Sequence, residues 1–402
     1  MNKNVYIIGV GQTKRGFFPR KDVRALIVEA TFAALSDAGI DVTDLEHCLV
    51  GHYSPALDMQ STMGQIVIDA LGLNARSACI HIEEACITSG QALHDGVLAV
   101  ASGMYDKVLV LGVSKTCDLL SLTNAFAESG YNPFDIQAGI MLGQSEIVPY
   151  IEKYHVTEDD IYAWYKTLYW YASRDPVSKC YGKAGLSREQ FDALPYIHYP
   201  IKVGQYGHDY EAEGASAIIL ASEDFAKKQT DTLIRVAGIV LTEESSYYPH
   251  MIDGTVSLPD LAKPEFMTFH SYSVKNAWRK AYRMAKVEPK DFDVFQPHDA
   301  TIAISWSQLD SIGHPDIPPG NSPKWYTEGQ AMPGGKLPCD TSGICKAGYL
   351  AGSVALDENI ENTHQLREDV KDRTRQCPMK HYVAGTVTSP GRPLVCITRR
   401  EK

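Results

Sequence analysis

The chain has 402 residues, 44% of them hydrophobic and 22% charged, which is the profile of a folded globular protein long enough for two domains or two halves sharing an interface. A formal net charge of −11 excludes counterion-release binding to nucleic acid and attraction to an anionic membrane, though not a local basic site for a phosphorylated ligand. Nine cysteines without a C-x-x-C pair or a Cys–His cluster point to neither a zinc site nor a disulfide framework. With no signal-like leader and no run of about 18 apolar residues, a reduced, cytoplasmic protein that binds no metal itself is expected.

In chain order, an apolar run at 5–10 precedes a helical pattern at 23–38, with Ala30, Ala34 and Ala38 on one face and Gly39 as its stop. An acidic turn at Asp44 leads to a strand at 48–50. A strand at 78–82 then meets Glu83-Glu84-Ala85-Cys86, a helical pattern to Ala101, a stop at Gly103 and a strand at 107–113, the strand–helix–strand order of a parallel sheet. From 116 to 210 the pattern is irregular and rich in Tyr, Trp, Asn and Pro, which reads as a loop region inserted over a site. A strand at 218–221 closes a first half near residue 230.

The second half opens with a strand at 233–241 and ends with strands at 382–387 and 394–397. Between them the helical pattern at 274–285 carries Ala277, Ala281 and Ala285 as the first carries its alanines. Asp291 and a strand at 294–295 follow, and the offset between the two copies is constant (277 − 30 = 291 − 44 = 247). The expected architecture is an α/β fold of two duplicated βαβαβ halves, residues 1–230 and 231–402. Their sheets should lie back to back with helices between, in α/β/α/β/α layers.

Cys86 stands where a buried strand hands over to a helix. Unpaired backbone N–H groups and the positive end of the helix dipole both favour a thiolate there, so the sulfur reads either as a nucleophile or as a packed structural cysteine. The segment A-C-I-T-S-G-Q-A-L, followed by A-S-G-M-Y-D-K-V-L-V-L-G-V-S-K, resembles the nucleophile segment of the thiolase family. E-G-A-S-A at 213–217, H-D-A at 298–300, T-S-G at 341–343, Q-L-R at 365–367 and a glycine-bearing terminal hairpin follow in that family's order. The resemblance covers nearly the whole chain and is strongest toward the sterol-carrier-protein-type and archaeal thiolases.

The resemblance implies a two-stage acyl transfer: the cysteine takes an acyl group from a 3-ketoacyl-CoA and free coenzyme A, a substrate rather than a bound cofactor, removes it. It also implies a homodimer core and, in many members, a small zinc-ribbon and OB-fold subunit. His298, read as the mirror of Cys86 in the repeat at the end of a strand and the start of a helix, lines the oxyanion site in the resembling enzymes. Asp299, Ser389 and Gly391 are the further oxyanion or substrate-binding candidates.

Two departures alter the chemistry. The family's G-H-P places best, with a one-residue gap, on G-Y-L-A-G at 348–352, so Tyr349 replaces the histidine; the G-H-P at 313–315 comes too early and reads as a loop coincidence. The C-x-G motif is absent from the hairpin G-T-V-T-S-P-G-R at 385–392, and Cys396 falls inside the strand. A phenol is a poor base near neutral pH, which makes Tyr349 a hydrogen-bond or proton donor and His298 the leading base. Three readings stay open: thiolytic acyl transfer, retro-aldol cleavage of a 3-hydroxyacyl-CoA, and a non-catalytic scaffold that binds acyl-CoA.

Tyr162, Trp164, Tyr165, Tyr169, Trp170 and Tyr171 share one helical stretch, with Tyr131 and Phe134 nearby. They suit a pocket for a bulky aromatic acyl group, or simply core positions at helical spacing. Lys202, Lys346 and Arg392 are candidates for phosphates or a substrate carboxylate.

Overall fold

A computed structural model describes residues 3–55, 58–116, 150–198, 201–202, 212–243, 271–389 and 392–401. Strand β1 (Val5–Gln12) and helix α1 (Val23–Ala38) show how the alanine stripe works. The Asp22 carboxylate accepts the Ala25 N–H at 2.9 Å to start the helix, and Gly39 at φ 65° ends it in the left-handed region. A Cβ on Gly9 or Gly11 would stand 2.4 Å from the carbonyl oxygen of Ala34 or Ala30. The alanines therefore face glycines because helix and strand backbones approach that closely.

The chain continues through β2 (His47–His52), α2 (Met63–Ala70), β3 (Cys79–Ile82), α3 (Thr88–Ser102) and β4 (Lys107–Ser114). After α4 (Glu158–Ala172) and α5 (Arg188–Asp192) come a two-stranded ribbon of β5 (Tyr196–His198) and β6 (Ile201–Lys202), then β7 (Gly214–Ser222) and α6 (Glu223–Gln229). The second half comprises β8 (Ile234–Leu241), α7 (Ser271–Ala285), β9 (Val294–Pro297), α8 (Ile302–Ser311), α9 (Ser322–Thr327), α10 (Val354–Arg367), β10 (Val383–Thr388) and β11 (Leu394–Arg400).

Nine strands are ordered β3-β2-β4-β7-β1-β8-β11-β10-β9. Strand β2 runs parallel to β3 and β4, and β9 parallel to β10. The order reads inward from both ends in the same way, with a single parallel bridge between Phe295 and Cys339 standing where the second half would place its fifth strand. The 3₁₀ turns keep the offset of the alanine stripes, Val42–Asp44 before β2 matching Pro289–Asp291 before β9. Gly238 of β8 lies under α7 as Gly11 lies under α1, its added Cβ 2.8 Å from the Ala281 carbonyl oxygen.

The halves are not separate sheets as expected. Strand β1 pairs with β8 through Tyr6 with Arg235 and Ile7 with Ile234, so one hydrogen-bonded sheet runs through both. The layers nevertheless follow the expected pattern. One core packs α1 and α2 on the outside of the first half, a second places α3 and α10 between the two halves, and a third packs α4, α7, α8 and α9 outside the second half.

Residues 150–198 are more regular than a loop. Helix α4 opens with a reciprocal Thr157–Asp160 capping box and buries Trp164, Tyr165 and Leu168 in the third core, with Tyr171 also buried and donating its hydroxyl to the Ala331 carbonyl at 2.9 Å. Those rings are core, as helical spacing alone would place them, whereas Tyr162, Tyr169 and Trp170 are half-buried and line a cavity of about 550 Å³; Tyr131 and Phe134 lie outside the described residues. Among the described residues no helix is long and apolar enough to cross a membrane.

Candidate active site

Strand β3 ends at Ile82, and the chain turns through Ala85 at φ 49° into a 3₁₀ turn, Ala85–Ile87, before α3 begins. The Glu84 N–H donates to Thr88 Oγ1 at 2.6 Å, fixing this turn with Cys86 at its centre. Arg392 braces it from the C-terminal hairpin, with Nη1 2.5 Å from Glu84 Oε1 and Nη2 donating to Gln91 Oε1 at 3.1 Å.

The opposite wall is the segment 341–353 that leads into α10. Arg15 donates to the Ile344 carbonyl at 2.8 Å, the Lys179 N–H to the Ala347 carbonyl at 2.7 Å, and the Gly352 N–H to Ser114 Oγ at 2.8 Å. A Cβ on Gly112 would lie 2.7 Å from the Gly352 carbonyl oxygen, so this wall presses directly on β4.

Held this way, Tyr349 Oη donates a hydrogen bond to Cys86 Sγ at 2.8 Å, and both residues are buried. Tyr53, Ala300, Ile344, Cys345, Ala351 and Val354 pack around them as an apolar cluster. Burial pushes the Cys86 thiol up to about 11, against the opposing pull of the Tyr349 hydroxyl, with Glu358 adding to the rise. The strand-to-helix setting suggested a thiolate; desolvation outweighs the helix terminus, and at neutral pH the sulfur carries its proton. Burial, then the proximity of Cys86, raises Tyr349 well above the ordinary phenol range.

His298 reaches the same site, its ring centroid 6.2 Å from that of Tyr349. Its backbone N–H donates to Gln308 Oε1 at 2.6 Å, and its Nδ1 lies 3.5 Å from Glu358 Oε1. Glu358 in turn accepts from Thr388 Oγ1 at the end of β10. Burial, and then the neighbouring Asp299, Asp357 and Asp340, hold Glu358 far above the usual carboxylate range, which makes it a neutral acid beside the imidazole.

His298 is not the mirror of Cys86, and it does not start a helix. The offset of the repeat sets it opposite Gly51 at the end of β2, while α10 is the counterpart of α3, so the segment answering Cys86 lies just before Val354. Helix α8 begins at Ile302 with Thr301 as its cap. The imidazole therefore enters from a strand end.

The other candidates divide. Asp299 accepts the Cys345 N–H at 3.1 Å and so fixes the wall that bears Tyr349; burial raises its pKa. Ser389, at φ 67°, offers its carbonyl to Gln308 Nε2 at 3.3 Å, so Gln308 links the hairpin to His298. Gly391 lies outside the described residues, as does the side chain of Lys202. Lys346 is fully buried, its Nζ 5.7 Å from the Trp164 ring centroid, away from any surface phosphate. His314 of the G-H-P stacks edge-on to Trp325 at 6.0 Å and accepts from the Asp316 N–H, a local loop role.

Sequence reading missed Glu358, Tyr53 and Cys345. Glu358 is concealed in the polar string V-A-L-D-E-N-I-E-N-T-H-Q-L-R, which resembles a solvent-facing helix yet is buried almost throughout. Tyr53 follows a strand end without any motif, and only its adjacency to β2 could have drawn attention to it.

Two family models match: one described as thiolase, N-terminal domain, over residues 5–148, and one described as thiolase C-terminal domain-like, over residues 261–392, together more than half of the chain. The chain belongs to the thiolase family. It is a thiolase-type acyltransferase. It is 27% identical over 392 residues to an acetyl-CoA acetyltransferase of Methanothermobacter thermautotrophicus, covering 96% of this chain and 97% of that thiolase. It is 25% identical over 383 residues to the benzoylsuccinyl-CoA thiolase subunit BbsB of Thauera aromatica, covering 94% and 91%. A solved structure named Ltp2-ChsH2(DUF35) aldolase shares the fold, with a TM-score of 0.76 at 16% identity over 99% of this chain and 98% of that one.

Proposed function

We propose that this thiolase-type enzyme cleaves, or in reverse forms, a 3-oxoacyl-CoA by acyl transfer through Cys86. The observation that carries the reading is the 2.8 Å hydrogen bond from Tyr349 to Cys86 within a buried pocket that also holds His298 and Glu358. The Cys86 sulfur attacks the 3-oxo carbon as its proton passes to His298. The bond between carbons 2 and 3 breaks, leaving an acyl thioester on Cys86 and the enolate of the shorter acyl-CoA, which takes a proton from the pocket. Coenzyme A then attacks the thioester, giving up its thiol proton as Cys86 regains one, and the acyl group leaves as acyl-CoA.

His298, with Ser389 and Gly391 of the hairpin, lines the oxyanion sites in this reading, and Asp299 positions the Tyr349 wall. The buried acid Glu358 keeps the imidazole oriented without drawing it into a fixed ion pair.

The finer substrate assignment is a bulky 3-oxoacyl-CoA such as 2-benzoylsuccinyl-CoA, yielding benzoyl-CoA and succinyl-CoA. What supports it is the relative named for that thiolase at 25% identity; of the α4 rings, Trp164, Tyr165 and Tyr171 are buried, and the half-buried Tyr162, Tyr169 and Trp170 line a cavity whose walls do not include Cys86 or His298. A homodimer, and a small zinc-ribbon and OB-fold subunit, belong to the same proposal, the latter supported by the DUF35 component named in the aldolase structure.

Retro-aldol cleavage of a 3-hydroxyacyl-CoA is the second reading, favoured by one observation: the group that meets Cys86 is the Tyr349 phenol, a proton donor rather than a base. Product analysis separates the two. Acyl transfer requires product from a 3-oxoacyl-CoA beyond one equivalent per site only when free coenzyme A is added, and its loss in Cys86→Ser. Release of an aldehyde or ketone from a 3-hydroxyacyl-CoA without coenzyme A, undiminished in Cys86→Ser, would establish the second reading instead.

A further inference from the structure

Next to the nucleophile turn, the end of β2 and the end of β3 bring two histidines together outside the acyl-transfer pocket. His52 closes β2, and His81 lies in the parallel neighbour β3, opposite Val50. Their ring centroids are 5.6 Å apart, and Glu83 follows directly on β3. One nitrogen from each ring and one carboxylate oxygen of Glu83 lie within 4.8 Å of one another. Donors around one tetrahedral ion stand roughly 3.3 Å apart, so side-chain adjustment alone brings the three into range.

The outer partners are arranged as metal-bound imidazoles have them. His52 Nε2 lies 3.1 Å from Asp58 Oδ2, while His52 Nδ1, in a side chain only 2% exposed, has no hydrogen-bond partner among the described residues. His81 bonds the backbone of Ser61, and its Nε2 stands 3.1 Å from Glu83 Oε1. His81 is thus held by one nitrogen and turns the other to Glu83, while His52 is held by Asp58 through Nε2 and keeps Nδ1 unpartnered, the second-shell pattern that fixes tautomer and direction in histidine metal sites. A buried imidazole nitrogen without a partner is costly, and a cation supplies one.

We propose that His52, His81 and Glu83 bind a divalent transition metal ion of the zinc class, with Asp58 as the outer partner of His52. Two imidazoles and a carboxylate suit zinc and its borderline neighbours rather than calcium or magnesium. The ion ties the end of β2, which runs on into Tyr53, to the segment that leads from Glu83 into Cys86. It acts as a clamp on the nucleophile turn and takes no part in the chemistry. The sequence carries no spacing signature for it, because the ligands come from two strands that are neighbours in the sheet but not in the chain. The proposal stands whether or not Cys86 carries an acyl group.

The test uses the full-length chain stripped with a chelator and titrated with zinc sulfate. One equivalent bound per chain, a raised melting temperature, and loss of both in His81→Ala and Glu83→Gln variants with wild-type circular dichroism are expected. Cobalt substitution should give visible d–d absorption without a thiolate charge-transfer band. No binding, binding undiminished in both variants, or a sulfur-to-cobalt band would overturn the site. Alkylation of Cys86 by iodoacetamide should change rate on metal loading, and an unchanged rate with the ion bound would overturn the clamp.

Discussion

At the scale of single residues, the site turns on one proton. Cys86 was legible in the sequence, from its strand-to-helix setting and from the segment that resembles the family's; its protonation was not, because burial is a property of the assembled walls. With the thiol pushed up to about 11, its alkylation by iodoacetamide should rise about tenfold per pH unit between pH 8 and 10 and show no plateau there. A plateau near pH 7 would show that the sulfur is already ionised. Tyr349 stabilises whatever thiolate forms, since its hydroxyl is the hydrogen bond that lowers the Cys86 pKa. Tyr349→Phe should therefore slow alkylation at pH 8 about tenfold or more, the worth of a hydrogen bond to a charged group, while Tyr349→His should speed it by placing a base of ordinary pKa near 6.5 beside the sulfur. Equal rates in all three proteins would mean that the contact between Tyr349 and Cys86 does not control the sulfur.

At the scale of elements, the alanine stripes, the left-handed glycine stops and the apolar runs were readable because each reports a local rule of helix or strand. Helix α1 begins and ends where its periodicity and Gly39 place it. The reason for the stripe became visible only with the strand beneath it. Gly11→Ala should cost roughly 1–3 kcal/mol through overpacking against the Ala30 carbonyl, read as a lower urea midpoint at unchanged slope, and Gly238→Ala should do the same against Ala281. Helix α10 defeated hydropathy because it lies between the two halves and pairs several of its polar groups with neighbouring elements: Glu361 accepts from Arg375 at 2.6 Å, and Asn362 donates to Thr386 at 2.8 Å.

The same helix carries a pH signature. Glu358 has a folded pKa raised above its unfolded value, so the fold keeps its proton while the unfolded chain releases it near the ordinary glutamate range, and stability falls as pH rises beyond that range. Glu358→Gln removes the penalty. Its melting temperature should exceed that of the wild type at pH 8 and converge with it near pH 4; a constant difference at both would show that the carboxyl is ionised in the fold.

At the scale of the whole molecule, the duplication was legible from the constant offset of the alanine stripes and acidic turns, and so was the layering. That the halves join in one sheet was not, because the two pairs between β1 and β8 leave no pattern in either strand. Strand β3 ends the sheet with Ile80 half exposed, an edge that unprotected chains seldom leave open. If the proposed homodimer closes on that edge, Ile80→Lys should elute as a monomer in size-exclusion chromatography with the fold intact; an unchanged dimer would place the interface elsewhere.

The central claim is that Cys86 carries the acyl group between two coenzyme A thiols. It is tested most directly by incubating the protein with a 3-oxoacyl-CoA in the absence of free coenzyme A, quenching in acid and mapping the tryptic peptides by mass spectrometry. An acyl mass on the peptide containing Cys86, removed by adding coenzyme A and absent in Cys86→Ser, is the predicted result. Turnover of the substrate with Cys86 unmodified at every time point would contradict it.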